Sequence, residues 1–188
     1  YRQSERGPLY RRYLEKLLEE KKAYFCYCAK EALEAERQLM LAEGRPPKYR
    51  GHCRDLPSPP RGASPQAIRF KTPETAVAFK DIIRGKVEFD GGLLGDMVIA
   101  KDLETPLYNF AVVVDDAKMK ITHVIRGEDH LSNTPKQIFM QKALGFEEPF
   151  YAHLPLILGK NRAKLSKRYG ETSLLDYRAE GYLPEAIL

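Results

Sequence analysis

Lys160, Arg162, Lys164, Lys167 and Arg168 crowd one short stretch, and no acidic residue lies anywhere between His153 and Gly170. Lysine supplies movable point charges and arginine a rigid two-pronged fork, so a loop of this composition bounded by Gly159 and Gly170 suits a polyphosphate. A second cluster, Arg126-Gly127-Glu128-Asp129-His130, sets a guanidinium beside two carboxylates and an imidazole. A third is Cys26-x-Cys28 with Cys53 further on. Thiolates at such spacing close a small loop around zinc, but three are one ligand short of a tetrahedral structural site. Tyr49, His52 and Asp55 are the neighbours able to complete it. The alternative is three thiols packed as small apolar groups.

The elements around these residues follow from periodicity. Leu9, Tyr13, Leu14, Leu17, Leu18 and Tyr24 recur at helical spacing across 9–24. A charged helix is expected from about Lys30 to Glu43, stopped by Gly44 and Pro46-Pro47. The Pro-rich stretch 56–66 is a loop. Ala67–Lys71 alternates like a strand, and so does Met97–Ala100; Val77–Ile83 and Val87–Phe89 read as two strands across a tight turn. Residues 24–105 thus form a small α+β module. Propensity makes Tyr108–Asp116 a strand through its three Val, although helical spacing also puts Tyr108 and Val112 on one face. Ile121–Ile125 reads as a buried strand. Thr134 as N-cap, Pro135 at the first position and Gln137 as capping-box partner start a helix that Gly145 stops, with Phe139, Met140, Ala143 and Leu144 inward. Phe150–Leu158, with its apolar run Leu154–Leu158, is the next strand.

Strand, helix, strand makes a parallel crossover, the unit of doubly wound sheets. Ligands bind beyond the carboxyl ends of such strands. Arg126–His130 follows one strand and the basic loop the next, so both should face one cleft, suited to a small charged substrate beside a nucleotide. A net charge of +5 over 188 residues favours a polyanionic partner. No apolar run approaches the ~20 residues of a membrane span, and no signal peptide opens the chain. Three Cys make no disulfide framework, so a reducing cytoplasm is expected. The start at Tyr1 and the end just past Pro184-Glu185 both read as cuts through something longer.

The core of the basic loop, Lys164-Leu165-Ser166-Lys167-Arg168, resembles the KMSKS signature of class I aminoacyl-tRNA synthetases. Together with YFCYC at 24–28, YRGHCR at 49–54, FKDIIRGKVEF at 79–89, LYNFAVVVDDAKMKITHVIRGEDHLSNTPKQI at 107–138 and HLPLILGKNRAKLSKRYG at 153–170, it makes the chain resemble glutamyl-tRNA synthetase along essentially its whole length. The resemblance implies an α/β fold: the second half of a class I synthetase Rossmann-like parallel sheet, with an inserted α+β domain that binds the tRNA acceptor end. It divides the chain into a helix leading out of the catalytic domain (1–23), the inserted domain (24–105), the second catalytic half (106–172) and the start of a helical stem-contact region (173–188). It also makes 109–119 a helix, and that reading is adopted over the propensity one.

The resemblance implies ATP-dependent ligation of L-glutamate to tRNA(Glu) through a glutamyl-adenylate, with ATP and Mg2+ as the substrate complex. Arg126 would take the glutamate side chain, Tyr108 would line the pocket, and Gly127, Glu128, Asp129 and His130 would form its wall. Val112 stands where some members have an Asn. Asp129 would also lie near ATP, Ile157 would offer its backbone to adenine, and Lys164, Leu165, Ser166, Lys167 and Arg168 would hold the phosphates, Lys164 and Lys167 catalytically. Zinc would sit on Cys26, Cys28 and Cys53. Asp55 stands where the family's His would be, whereas Tyr49 matches a ligand of glutamyl-queuosine tRNA(Asp) synthetases, the nearest alternative. A non-catalytic tRNA acceptor-end-binding module is another. The family's H-x-G-H signature and its anticodon-binding region have no counterpart in these residues, so the 188-residue chain alone is expected to be inactive. A monomer in the cytoplasm, away from membranes, completes the expectation.

Overall fold

The computed structural model describes residues 1–158 and 174–187. Helix α1 (Gly7–Glu19) carries Pro8 in its first turn, where the missing N–H is no loss, and buries Tyr10, Tyr13, Leu14 and Leu17. Tyr24, expected on this helix, lies in strand β1 (Ala23–Cys26) instead. Lys21, at a left-handed φ of 54°, reverses the chain between them. Helix α2 (Lys30–Ala42) follows as expected and buries only Met40. Strand β2 (Ala67–Phe70) comes after the Pro-rich loop. Strands β3 (Ala76–Asp81) and β4 (Gly85–Asp90) form the expected hairpin, and β5 (Val98–Ala100) returns to β2. Then come α3 (Tyr108–Lys118), β6 (His123–Gly127), α4 (Thr134–Leu144), β7 (Phe150–Leu154), α5 (Leu174–Ala179) and α6 (Pro184–Ile187).

Two sheets result among the described residues. One is antiparallel, in the order β1-β2-β5; the other runs β4-β3-β7-β6. The crossover is confirmed: β6 and β7 pair in parallel over five positions, from His123 opposite Phe150 to Gly127 opposite Leu154. Strand β3 lies parallel to β7 on its other side. The β3–β4 hairpin, counted with the 24–105 module on sequence, is therefore bonded to the sheet of the second part. One core joins both sheets to α1, α3 and α4, with Leu14, Ile68, Ile99, Phe110, Ile138 and Met140 at its centre.

Two readings are corrected, and the helix adopted for 109–119 is borne out. Tyr108–Lys118 is a helix despite its Val content, because Phe110, Ala111, Val113 and Val114 all bury; tertiary packing overrides a weak local preference. The strand near Ile121 is not buried. It begins at His123, forms the outer strand of the described sheet, and leaves Ile125 65% exposed. The next strand ends at Leu154, not Leu158: Pro155 has no N–H to extend the ladder, and Ile157 is 75% exposed. Ile157 is thus not a core side chain.

Candidate active site and metal centre

Parallel pairing brings the carboxyl ends of β6 and β7 to one edge of the sheet. The two chains leave it side by side, and the N–H of Leu156 donates to Glu128 Oε1 at 3.0 Å. Glu128 also pairs with Arg84 in the β3–β4 turn, so its carboxylate ties three segments together at this edge.

Arg126 lies near the end of β6, half-buried. Its Nε donates to His153 Nε2 at 3.1 Å, and its Nη2 donates to Thr134 Oγ1 at 2.7 Å and Gln137 Oε1 at 2.9 Å. Gln137 Nε2 in turn donates to Asn109 Oδ1 at 3.0 Å, which links α4 to α3. The capping box read from the sequence is therefore absent. A 3₁₀ stretch, Glu128–Asn133, runs straight into α4, and Thr134 and Gln137 turn to Arg126 instead. Tyr108, at the start of α3, is 48% exposed with its ring 5.7 Å from that of His130. His130 Nδ1 lies 3.2 Å from Asn133 Nδ2. A Cβ at Gly127 would lie 2.5 Å from Asp129 Oδ1, so the Asp129 carboxylate packs directly over this glycine. The structure thus gathers Tyr108, Arg126, Gly127, Glu128, Asp129 and His130 at one sheet edge. Lys164, Leu165, Ser166, Lys167 and Arg168 lie outside the described residues.

Sequence reasoning missed the groups behind Arg126. Asp81 and His153 are 1% and 0% exposed. His153 Nδ1 lies 2.6 Å from Asp81 Oδ2, and Asp81 also accepts the backbone N–H groups of Ile83, Arg84 and His153. Burial opposes the charge on Asp81, but these bonds outweigh it and hold its pKa down at about 2. The available signal was a polar residue at the inward end of each of two apolar strands.

The sulfurs of Cys26, Cys28 and Cys53 all lie within 4.8 Å of one another, and Cys28 and Cys53 are 3.6 Å apart. Tetrahedral zinc with bonds of about 2.3 Å would set sulfurs about 3.8 Å apart. The Tyr49 hydroxyl stands 3.4 Å from Cys28 Sγ and 3.7 Å from Cys26 Sγ. His52 faces Glu36 and Asp55 pairs with Lys71, so neither joins the cluster. Burial opposes ionisation of Cys26, but Arg69, the Cys28 N–H and Tyr49 pull its pKa below the ordinary thiol value. Burial and the neighbouring thiols push Cys28 up to about 11. Arg69 also stacks on the Tyr49 ring at 3.7 Å, and Arg54, beside Cys53, pairs with buried Asp96. Three cysteines and a tyrosine form a donor set that fits zinc.

Among the described residues no helix is long and apolar enough to cross a membrane. The chain is 53% identical to a glutamate–tRNA ligase from a Sulfurihydrogenibium species, an alignment covering all of this chain and 40% of that protein. It is 55% identical to glutamate–tRNA ligase 2 of Caldanaerobacter subterraneus, again over all of this chain and 40% of the relative. A crystal structure of a glutamate tRNA ligase from Elizabethkingia meningosepticum in complex with its amino acid superposes with a TM-score of 0.79 at 36% identity, covering 100% of this chain and 43% of that one. The chain thus spans about two fifths of the length of these relatives. The model for the catalytic domain of class I tRNA synthetases (E and Q) matches residues 1–188, and the chain belongs to that family.

Proposed function

We propose that the intact protein ligates L-glutamate to tRNA(Glu) in the cytoplasm, as a monomer, with this chain as part of its catalytic core. An α-carboxylate oxygen of glutamate attacks the α-phosphorus of ATP, held as its Mg2+ complex. Pyrophosphate leaves and glutamyl-adenylate forms. A terminal ribose hydroxyl of tRNA then attacks the acyl carbon, releasing AMP. Positioning and charge stabilisation carry both steps, and no side-chain nucleophile is required. Lys164 and Lys167 balance the charge growing on the leaving pyrophosphate, with Leu165, Ser166 and Arg168 in the same loop, and Ile157 offers its backbone to adenine. Asp129 serves both the amino-acid and ATP sides. Tyr108 and His130 line the amino-acid pocket, and Arg126 takes the γ-carboxylate. Zinc on Cys26, Cys28, Cys53 and Tyr49 would brace the 24–105 domain, where the acceptor end docks; the β3–β4 hairpin links that domain to the catalytic sheet.

The observation that carries this reading is Arg126, fixed at the carboxyl edge of the sheet by three neutral acceptors. In the intact enzyme Arg126→Ala should raise the glutamate KM by roughly 100-fold or more, the ~2–5 kcal/mol of a truncated charge pair, and leave the ATP KM within about twofold. Equal effects on both would overturn the assignment. Tyr49 beside the cysteines favours a second reading, a glutamyl-queuosine tRNA(Asp) synthetase. The names of the relatives weigh against it, and charging of unmodified tRNA(Glu) decides between the two. A non-catalytic acceptor-end-binding module would bind an acceptor stem but not a glutamyl-adenylate analogue.

A further inference from the structure

The three acceptors that hold Arg126, on His153, Thr134 and Gln137, carry no formal charge when His153 is neutral. The geometry requires that it be neutral. A guanidinium nitrogen is always a donor, so His153 Nε2, 3.1 Å from Arg126 Nε, must present its lone pair. The ring proton then sits on Nδ1 and is donated to Asp81 Oδ2 at 2.6 Å. The other tautomer, or an imidazolium, would set two donors face to face. Thr134 Oγ1, 3.0 Å from the same Nε2, closes the ring of contacts.

A carboxylate placed directly on the fork would hold it as firmly and would also neutralise it. The imidazole keeps the Asp81 charge one ring away and offers Arg126 a neutral acceptor. The guanidinium is fixed on its Nε edge and through Nη2, while the described residues give Nη1 no hydrogen-bond partner. Asp116 on α3 interacts with Arg126 at longer range; burial pushes its carboxyl up, and Arg126 acts the other way.

We propose that His153 and Asp81 are positioning residues for the substrate arginine: Asp81 locks the neutral Nδ1–H imidazole behind Arg126, which orients the fork and reserves its charge for the ligand carboxylate. The proposal rests on Arg126 being the glutamate-binding residue.

The test uses the intact enzyme and compares the glutamate KM with the ATP KM in Arg126→Ala, His153→Leu, His153→Gln and Gln137→Glu. His153→Leu should raise the glutamate KM roughly tenfold to a hundredfold, the worth of a hydrogen bond to a charged group, with the ATP KM within about twofold. His153→Gln, whose side-chain oxygen reaches the place of Nε2, should recover most of this. Gln137→Glu keeps an acceptor in place but adds a countercharge, and should also raise the glutamate KM selectively. An unchanged glutamate KM in Arg126→Ala overturns the function and this proposal together. A normal Arg126→Ala effect with an unchanged glutamate KM in His153→Leu, or with both KM values moving equally, overturns this proposal alone. Should His153→Leu fail to fold, the wild-type tautomer decides. Long-range 15N–1H correlation at neutral pH should show His153 protonated on Nδ1 only, and a proton on Nε2 overturns the proposal.

Discussion

Asp81→Asn should be more damaging than its near-identical shape suggests, and the damage should fade in acid. In the wild type the carboxyl falls from an ordinary 3.8 to about 2 on folding. A group whose folded pKa is lowered stabilises the fold above its unfolded pKa and loses that contribution as pH falls through the folded one. A lowering of nearly two units is worth roughly 2 kcal/mol at pH 7, of which about half is gone by pH 3. Asparagine can still accept the N–H groups of Ile83 and Arg84, each at 2.9 Å. Its amide nitrogen then faces the N–H or the ring Nδ1–H of His153, donor against donor. The variant should therefore be less stable at pH 7 by about 2–4 kcal/mol, the linkage contribution plus one unmade buried bond. Urea unfolding of both proteins, stepped from pH 7 to pH 3, measures the gap. It should narrow by about 1 kcal/mol over that range. A gap that stays constant would show that the Asp81 charge is not what these bonds stabilise, and would refute the reasoning.

Other substitutions probe the remaining features. Tyr49→Phe should weaken zinc binding by roughly 100-fold or more, since a four-ligand structural site is worth about 10–16 kcal/mol in all; chelator competition measures it, and an unchanged affinity removes Tyr49 from the ligand set. Tyr10→Phe removes a hydroxyl 2.8 Å from both oxygens of Asp115, one that burial and that carboxylate push up to about 12. It should cost about 1.5–3 kcal/mol in denaturant unfolding, and a cost near zero would mean that Gln3 and Arg6 satisfy Asp115 alone. Gly91→Ala would set a Cβ 2.4 Å from the carbonyl oxygens of Pro73 and Thr75. Backbone on both sides leaves no easy escape, so thermal unfolding should show a loss of at least ~2 kcal/mol.

Local signals made α1, α2 and α4 legible. Pro135 marks a start, Gly44 and Gly145 mark stops, and apolar spacing shows α1. Helix α3 was not legible from propensity, because its Val residues favour a strand and only the surrounding core reverses that preference. The type of chemistry at Arg126 could be read from the residue alone. Its support could not: Asp81 and His153 are 72 residues apart, and Thr134 and Gln137 had a plausible local use as caps. Among Tyr49, His52 and Asp55, spacing left the fourth ligand open. Glu36 and Lys71, at distant points in the chain, draw the other two away.

The deepest dependence is one of register. Strand β7 places His153 opposite Arg126 and Asp81 opposite Tyr151, on either side of a single strand. Side chains alternate along a strand, so a slip of one residue would turn His153 to the other face and leave Arg126 opposite Ala152 or Leu154. The hydrophobic pattern of β6 cannot prevent such a slip, because Ile125 is exposed and the strand buries no residue fully. What distinguishes the observed register is the polar chain itself. Asp81 accepts both the backbone and the ring of His153, and the ring accepts Arg126. The groups that aim the arginine therefore also fix the alignment of the strands that carry it. Fold and site are specified here by the same three side chains, which is why a reading of apolar periodicity found the crossover and not its register.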